Sequence, residues 1–253
     1  MNFRDLGGYR TIDDRMIKRG LIFRSAAPGL MNDEEIGELN RLGLRTILDF
    51  RGDKQVRKLP DPVLPGAVYI HECAAFRNIG EDLNYSPYDL IEMLVDEDQH
   101  GSTAASAAVA SYTAALAYTN RAYEVMFDTL MAGEVPMLFH CTRGKDRTGV
   151  AAMLVMLALG VNETTIIEEY VKTNESFQEA IDRRVREGFL SRISANYRTL
   201  MTVMEGVLPE SATMFLAEIQ ERYDNYETFF EKEYRLTPKD LESLRDRYLE
   251  PIT

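Results

Sequence analysis

The sequence contains few of the residues that build redox, metal or membrane sites. Its 253 residues include two cysteines, Cys73 and Cys141, three histidines and no tryptophan. Two cysteines are too few for a disulfide scaffold, and the histidines show no metal-ligand spacing, so we predict neither a metal nor another cofactor. No apolar run reaches the length of a membrane span, so no integral membrane segment is expected.

Positive charge is scarce as well. The chain carries 29 Lys and Arg against 41 Asp and Glu, a formal net charge of −12. This balance argues against a nucleic-acid partner, because general nucleic-acid binding requires a basic surface. The exception is one loop in which Arg143, Lys145 and Arg147 surround a single acid, and such local positive potential favours an anion.

The organisation of the chain predicts one domain over residues 1–253. Hydrophobic residues make up 45%, enough for a substantial core, and no Gly/Ser linker divides the chain. Residues 72–101 carry acids and few strand signals, typical of a lid over a site, and 161–253 indicate a helical elaboration. The charged first twenty residues lack the apolar core of a signal peptide, which favours the cytoplasm. A secreted protein whose leader was removed is the alternative.

The most informative segment is HCTRGKDRTG, from His140 to Gly149, which lies between two apolar stretches. Cys141 and Arg147, six positions apart and joined by a glycine-containing loop, make a cradle for a tetrahedral oxyanion. The loop N–H groups and the positive end of the following helix favour the bound anion. A thiol at the base of this cradle is expected to be a thiolate, and a thiolate facing phosphate suggests a phosphocysteine intermediate.

Each residue type in this loop suggests a role and has a plainer alternative. Cys141 is the expected nucleophile, although a lone cysteine is commonly a buried core residue. Arg147 offers a planar fork for two phosphate oxygens. Gly144 allows a turn or a close approach to the anion. Thr148 is expected to hydrogen-bond the cysteine sulfur or to cap the helix, and His140 to orient the loop or to be a satisfied structural histidine.

The charged residues of the loop suggest phosphate binding and acid catalysis. The six residues from Thr142 to Arg147 are expected to bind the phosphate. Lys145 is expected at the rim of the pocket, where it holds a second phosphate or a carboxylate. Asp146 is the candidate acid that protonates the leaving oxygen. Its alternatives are an ion pair with Arg143 or Lys145 and a hydrogen-bond acceptor that stabilises the loop.

Short apolar runs predict four strands, and strands that alternate with helical segments favour an α/β sheet. The predicted strands are 21–23, 46–48, 67–70 and 136–139. Segment 148–159, apolar on every face, predicts a buried helix ended by Gly160. Asn32 is predicted to cap a helix over 32–42, and Thr237 the last helix. One further predicted helix carries on a single face Phe215, Ile219, Tyr223 and Tyr226.

The loop resembles that of the Cys-x5-Arg protein tyrosine phosphatase superfamily. The sequence GKDRTG at 144–149 narrows the resemblance to a bacterial tyrosine-phosphatase family, whose members act on phosphotyrosine and, in some cases, on phosphoserine, phosphothreonine and phosphoinositides. NFRDLGGYR at 2–10 and GLIFRS at 20–25 look like the opening signature of that family. LDFR at 48–51 is similar to its Asp-Leu-Arg strand end, with Phe50 in place of Leu. The resemblance covers nearly the whole chain.

The resemblance implies a fold and a site. The fold is a three-layer α/β fold in which helices flank a four-stranded, mainly parallel sheet. Cys141 and Arg147 become the catalytic pair, and Asp146 matches the acid of the loop. No Trp-Pro-Asp loop is evident, so Asp82 is the alternative acid. Lys145 matches a position linked to phosphoinositide headgroups.

Residues outside the loop are expected to support it. Arg24, Asp49 and Arg51 lie at predicted strand ends on the ligand side of the sheet, where they buttress the loop or form surface ion pairs. In the N-terminal signature, Arg4 and Asp5 are expected to pair with each other, and a structural role is favoured over ligand contact.

The leading hypothesis is therefore a metal-free phosphatase. Its expected substrates are phosphorylated proteins, phosphoinositides or small phosphomonoesters. One alternative is an arsenate reductase or sulfurtransferase, although the former usually needs more redox cysteines than Cys73 offers. The other alternative is a non-catalytic module that binds phosphoinositides or phosphopeptides, although binding alone does not require a thiolate.

Overall fold

The predicted strands lie at the centre of a computed structural model that describes residues 2–74, 109–187, 201–202 and 204–252, with the backbone of 77–78 and 81–82. Most of the lid-like segment predicted at 72–101 lies outside these residues. The side chain of Asp82, the alternative acid, lies outside them too.

The strands are short, and most of their residues face the interior. Their bounds are β1 (Arg4–Asp5), β2 (Arg15–Ile17), β3 (Ile22–Ser25), β4 (Thr46–Asp49), β5 (Val68–His71), β6 (Arg77–Asn78), β7 (Glu81–Asp82), β8 (Met137–His140) and β9 (Leu249–Pro251). The central sheet has the order β1-β3-β8-β4-β5, in which the last four strands are parallel and β1 is antiparallel to β3. The predicted fold class is confirmed, and β1 adds a fifth strand that the sequence pattern did not indicate.

The register of the parallel strands brings four polar residues to one edge. Ser25 pairs with His140, His140 with Asp49, and Asp49 with His71. These residues end their strands, so they form a row along the carboxyl edge of the sheet, where ligands bind in open α/β sheets. The candidate phosphate-binding loop (residues 141–147, called the phosphate loop below) leaves from this row at the end of β8.

Helices cover the sheet and extend to the C-terminus. They are α1 (Asp33–Arg41), α2 (Asp53–Lys58), α3 (Arg121–Ala132), α4 (Asp146–Ala158), α5 (Glu163–Val171), α6 (Thr173–Glu187), α7 (Pro209–Arg222), α8 (Tyr226–Tyr234) and α9 (Pro238–Tyr248). The caps predicted at Asn32 and Thr237 are confirmed, and each forms a capping box with the residue three positions on. Within the described part of the chain, no helix is both long and apolar enough to cross a membrane.

Helix α4 is the buried centre of the molecule, as its composition predicts. Every residue from Thr148 to Ala158 is buried, and Gly160, at φ +82°, follows its end. The main hydrophobic core contains α4 together with apolar residues of the sheet and of the C-terminal helices. Because this core surrounds α4, the N-terminus of the helix, and the loop before it, have a fixed place beside the sheet.

The predicted helix through Phe215 and Tyr226 is wrong in its length. Helix α7 ends at Arg222, and α8 begins at Tyr226 after Asn225, whose side chain accepts a hydrogen bond from Thr228 N. An asparagine that caps a new helix stops the old one, because its side chain satisfies the free N–H groups of the next first turn. The apolar spacing was correct, but it spans two helices.

Candidate active site

The candidate phosphate loop connects β8 to α4 and packs against the end of β3. Cys141 begins the loop, and its side chain is buried, at 3% exposure. Gly144 has φ +66°, and a Cβ at this position would lie 2.4 Å from the carbonyl oxygen of Ser25. A side chain is therefore excluded at Gly144, both by the left-handed backbone and by the neighbouring strand.

The carbonyl oxygen of Gly144 is held from two sides. Arg24 Nη2 donates to it at 2.7 Å, and Asn2 Nδ2 donates to it at 2.7 Å. Arg24 is fully buried and pairs with Glu169, and burial lowers the pKa of Arg24 to about 10, against the opposing effect of that carboxylate. Arg24 is thus charged at neutral pH and contacts the loop directly. The alternative of a surface ion pair is wrong for this residue.

Asp49 and Arg51 are also buried, but they bind each other. Arg51 Nη2 lies 2.7 Å from Asp49 Oδ2 and 2.8 Å from Asp61 Oδ2, and Tyr69 donates its hydroxyl to Asp49 at 2.6 Å. Burial alone would raise the pKa of Asp49, but the hydrogen bonds from Arg51 and Tyr69 and the nearby His140 lower it to about 2. The surface alternative is wrong here too, and the sequence pattern did not indicate Asp61 or Tyr69.

His140 lies between these carboxylates and the nucleophile candidate. Its Nε2 is 3.1 Å from Asp61 Oδ2, its Nδ1 is 3.9 Å from Asp49 Oδ1, and Nδ1 is 3.4 Å from the carbonyl oxygen of Cys141. His140, Asp49 and Asp61 are potential metal ligands close to one another. The Arg51 guanidinium contacts both carboxylates, so this group is better described as an ion-pair cluster.

Arg147 is placed by contacts on both sides of the loop. Its Nη1 donates to the Phe50 carbonyl and to Gln55 Oε1, each at 3.0 Å, and Tyr123 donates its hydroxyl to the Arg147 carbonyl at 2.8 Å. Burial is the largest single effect on the pKa of Arg147 and lowers it, but Cys141 and other acidic groups nearby together raise the pKa above its ordinary value. Gln55 and Tyr123 had no recognisable signal in the sequence.

Two threonine hydroxyls of the loop are buried. Among the described residues, neither Thr142 Oγ1 nor Thr148 Oγ1 has a hydrogen-bond partner. The hydrogen bond predicted from Thr148 to the Cys141 sulfur is therefore not formed in this structure. Buried hydroxyls without partners are uncommon because desolvation is costly, and here both belong to the loop that is expected to bind an anion.

Lys145 is not at the rim of the pocket, contrary to prediction. Its side chain is buried, and Nζ donates to the carbonyls of Met204 and Gly206, each at 2.9 Å. Burial lowers its pKa. Arg143 likewise faces this C-terminal segment, since its Nη2 lies 2.6 Å from Glu205. The two cations anchor the loop to residues 204–206, which are about sixty positions away in sequence and gave no local signal.

Asp146 opens α4, and its Oδ1 lies 3.7 Å from Lys145 Nζ. The predicted ion-pair alternative is thus present, and the acid role stays a prediction. Tyr112 was missed by the sequence pattern. Burial raises its pKa to about 12, with Arg147 opposing and Asp146 and Cys141 adding to the shift, so its hydroxyl belongs to the surroundings of the loop.

Comparisons with known proteins agree with the loop motif. The sequence profile of the tyrosine phosphatase family matches residues 1–250. A protein named as a tyrosine-protein phosphatase in Cupriavidus necator is 29% identical over 181 residues, 69% of this chain and 60% of that protein. Triple specificity protein phosphatase PtpB of Mycobacterium tuberculosis is 24% identical over 245 residues, 89% of this chain and 87% of that protein.

A solved structure is also similar. The core catalytic domain of the PP-IP phosphatase SIW14 from S. cerevisiae, in complex with citrate, is 20% identical, with a TM-score of 0.35. The match covers 79% of this chain and 94% of that one. This chain spans less than two thirds of the length of the Cupriavidus protein.

Proposed function

This chain belongs to the tyrosine phosphatase family, and we propose that it hydrolyses phosphomonoesters through a phosphocysteine formed on Cys141. The observation that carries the proposal is the position of this buried cysteine, between the end of β8 and the N-terminus of α4. The Arg147 guanidinium, whose pKa lies above its ordinary value, belongs to the same loop. A nearby cation and the positive end of a helix both favour the thiolate.

The proposed reaction has two displacement steps. The Cys141 sulfur attacks phosphorus, a P–S bond forms, and the bond from phosphorus to the leaving oxygen breaks while Asp146 gives that oxygen its proton. Water then gives a proton to the Asp146 carboxylate and attacks phosphorus, the P–S bond breaks to return the Cys141 thiolate, and inorganic phosphate leaves. Arg147 and the loop amides stabilise the equatorial oxygens.

The proposed substrates are phosphorylated proteins, phosphoinositides and small phosphomonoesters. Phosphotyrosine comes first because the matching family is named for it, and a relative named for triple specificity supports a wider range. A panel of phosphotyrosine, phosphoserine, phosphothreonine and phosphoinositides, assayed by phosphate release, ranks them.

The nucleophile is tested by Cys141→Ser. We expect turnover of an aryl phosphate to fall by about 10³-fold or more, because a serine hydroxyl is not ionised at neutral pH. Binding of inorganic phosphate should persist, and Cys73→Ser is the matched control for loss of a thiol. Substantial turnover by Cys141→Ser would contradict the assignment. A wild-type protein that binds phosphate without turnover would favour the non-catalytic binding module. Turnover of arsenate or thiosulfate that exceeds phosphatase turnover would favour an arsenate reductase or a sulfurtransferase.

The acid is tested by Asp146→Asn across leaving groups. We expect about a 100-fold loss on alkyl phosphates, whose leaving oxygen needs a proton, and little loss on nitrophenyl phosphate, whose leaving group does not. Steady-state rates on both classes give the comparison. An equal effect on both classes would move the role to another acid, for which Asp82 is the candidate.

A further inference from the structure

Glu169 is a buried acid that the proposed reaction does not use. It lies in α5, its side chain is fully buried, and its carboxylate lies 2.5 Å from Arg4 Nε and 2.8 Å from Arg24 Nη1. A buried carboxylate is tolerated only with such close partners. The pairing predicted between Arg4 and Asp5 is not formed, because the Asp5 carboxylate instead accepts hydrogen bonds from backbone N–H groups of two separate turns. Glu169 therefore joins one arginine of β1 to one of β3.

Both arginines lead to the same loop carbonyl. Arg24 Nη2 donates to Gly144 O at 2.7 Å. Arg4 Nη1 donates to Asn2 Oδ1 at 2.5 Å, and Asn2 Nδ2 donates to Gly144 O at 2.7 Å. The contacts close a ring that runs from Glu169 through Arg24 to Gly144 and returns through Asn2 and Arg4.

The carbonyl at the end of this ring sets the direction of one loop amide. Gly144 O belongs to the trans peptide before Lys145, in which C=O and N–H point in opposite directions. A carbonyl held on the β1 and β3 side therefore turns the Lys145 N–H toward the other side of the loop. An anion cradle depends on N–H groups that point inward, and a peptide held by two donors cannot rotate without breaking both hydrogen bonds.

We propose that Glu169 is a positioning residue for the phosphate loop. Through Arg24 and Arg4 it holds the Gly144–Lys145 peptide with its N–H directed at the bound phosphoryl group, and it makes no contact with substrate. The proposal rests on the proposed function, because it assigns the cradle a phosphoryl ligand.

The test compares two neighbouring glutamates of α5. Glu169→Gln keeps the shape of the side chain and removes its charge, and Glu168→Gln removes the same charge from an exposed position. In Glu169→Gln, inorganic phosphate binding, measured by titration calorimetry, should weaken about tenfold, with a similar fall in kcat/KM for an aryl phosphate. Glu168→Gln should match wild type. A Glu169→Gln protein that melts at a lower temperature but binds phosphate normally would overturn the proposal.

Asn2→Ala is the second variant, because loss of one partner of a buried ion pair can prevent folding. It removes one donor to Gly144 O and leaves the ion pairs of Glu169 in place, so phosphate binding should weaken about threefold. If Glu169→Gln does not fold, wild-type affinity in Asn2→Ala overturns the proposal. A wild-type protein that neither binds phosphate nor turns over overturns the proposed function and the role of Glu169 together. If the wild type binds phosphate and turns over, and neither variant changes phosphate binding, only the role of Glu169 is overturned.

Discussion

Two buried arginines flank strand β8, and they support the loop in different ways. Arg24, on β3, donates directly to the loop carbonyl of Gly144. Arg51 follows β4 and makes no hydrogen bond to the loop within the described part of the chain. It binds two carboxylates that lie beside His140. Arg24 therefore holds the middle of the loop, whereas Arg51 holds the strand end from which the loop begins.

The two clusters also differ in charge balance. Arg24 shares Glu169 with Arg4, so that cluster has two cations and one anion. Arg51 lies between two carboxylates, and the His140 ring lies beside both. Removal of Arg51 leaves more uncompensated buried charge, and removal of Arg24 changes the loop more directly. We therefore expect Arg51 to contribute mainly to the stability of the fold and Arg24 to contribute mainly to the shape of the proposed anion site.

The largest expected effect is on stability. Arg51→Met keeps most of the side-chain volume but leaves Asp49 and Asp61 buried without their cation, so the free energy of unfolding should fall by about 3–5 kcal/mol. Arg24→Met leaves Glu169 with its second arginine and should cost less than about 3 kcal/mol, while weakening phosphate binding more. Urea unfolding and phosphate titration measure the two effects. A greater loss of stability in Arg24→Met would contradict the comparison.

The next largest expected effect is on catalysis, after a change at Gly144, whose carbonyl accepts a hydrogen bond from Arg24. Gly144→Ala places a Cβ against the backbone of Ser25, so the loop must move, and kcat/KM for an aryl phosphate should fall about 100-fold, near 2.7 kcal/mol. Gly43→Ala is the matched control, because Gly43 has a similar φ of +61° and no atom within 4 Å. It should cost about 1–2 kcal/mol of stability and leave the kinetics unchanged. Equal kinetic losses in both variants would show that backbone strain, rather than the contact with β3, is responsible.

The smallest expected effect is the loss of stability in acid that comes from the Arg51 cluster, which consists of Arg51, Asp49, Asp61 and His140. The pKa of Asp49 is lowered to about 2, against about 3.9 in the unfolded chain. A depressed folded pKa stabilises the protein above about pH 4, and that contribution, about 2.5 kcal/mol, is lost as the pH falls toward 2. In Asp49→Asn, the free energy of unfolding measured between pH 4 and pH 2 should not show this pH-dependent loss.

Asp13 is the control for this slope. The hydrogen bond from Arg15 lowers its pKa to about 2 as well, but its side chain is 45% exposed. Solvent screens such a pair, so Asp13→Asn should change the acid slope far less. If Asp13→Asn and Asp49→Asn change the pH dependence of unfolding equally, burial of the Arg51 cluster does not add to the stability of the protein.

Much of the fold was predictable because its signals are local. The four parallel strands lie within two residues of their predicted bounds, and α4 is buried on all sides as its composition indicates. The caps at Asn32 and Thr237 are recognisable in the sequence because each depends only on itself and on the residue three positions later. The division between α7 and α8 was missed because the apolar spacing continues across it, and only the cap at Asn225 interrupts the helix.

By itself, the sequence determined the order of the site: a strand, a loop from Cys141 to Arg147, and a buried helix. Only the tertiary structure decided which partners hold that loop. Asn2 reaches Gly144 across 142 positions, and Lys145 turns away from the rim to carbonyls 59 and 61 positions away. The physical reason is that apolar periodicity encodes burial along the chain, whereas a charged side chain finds its partner only after the core has packed.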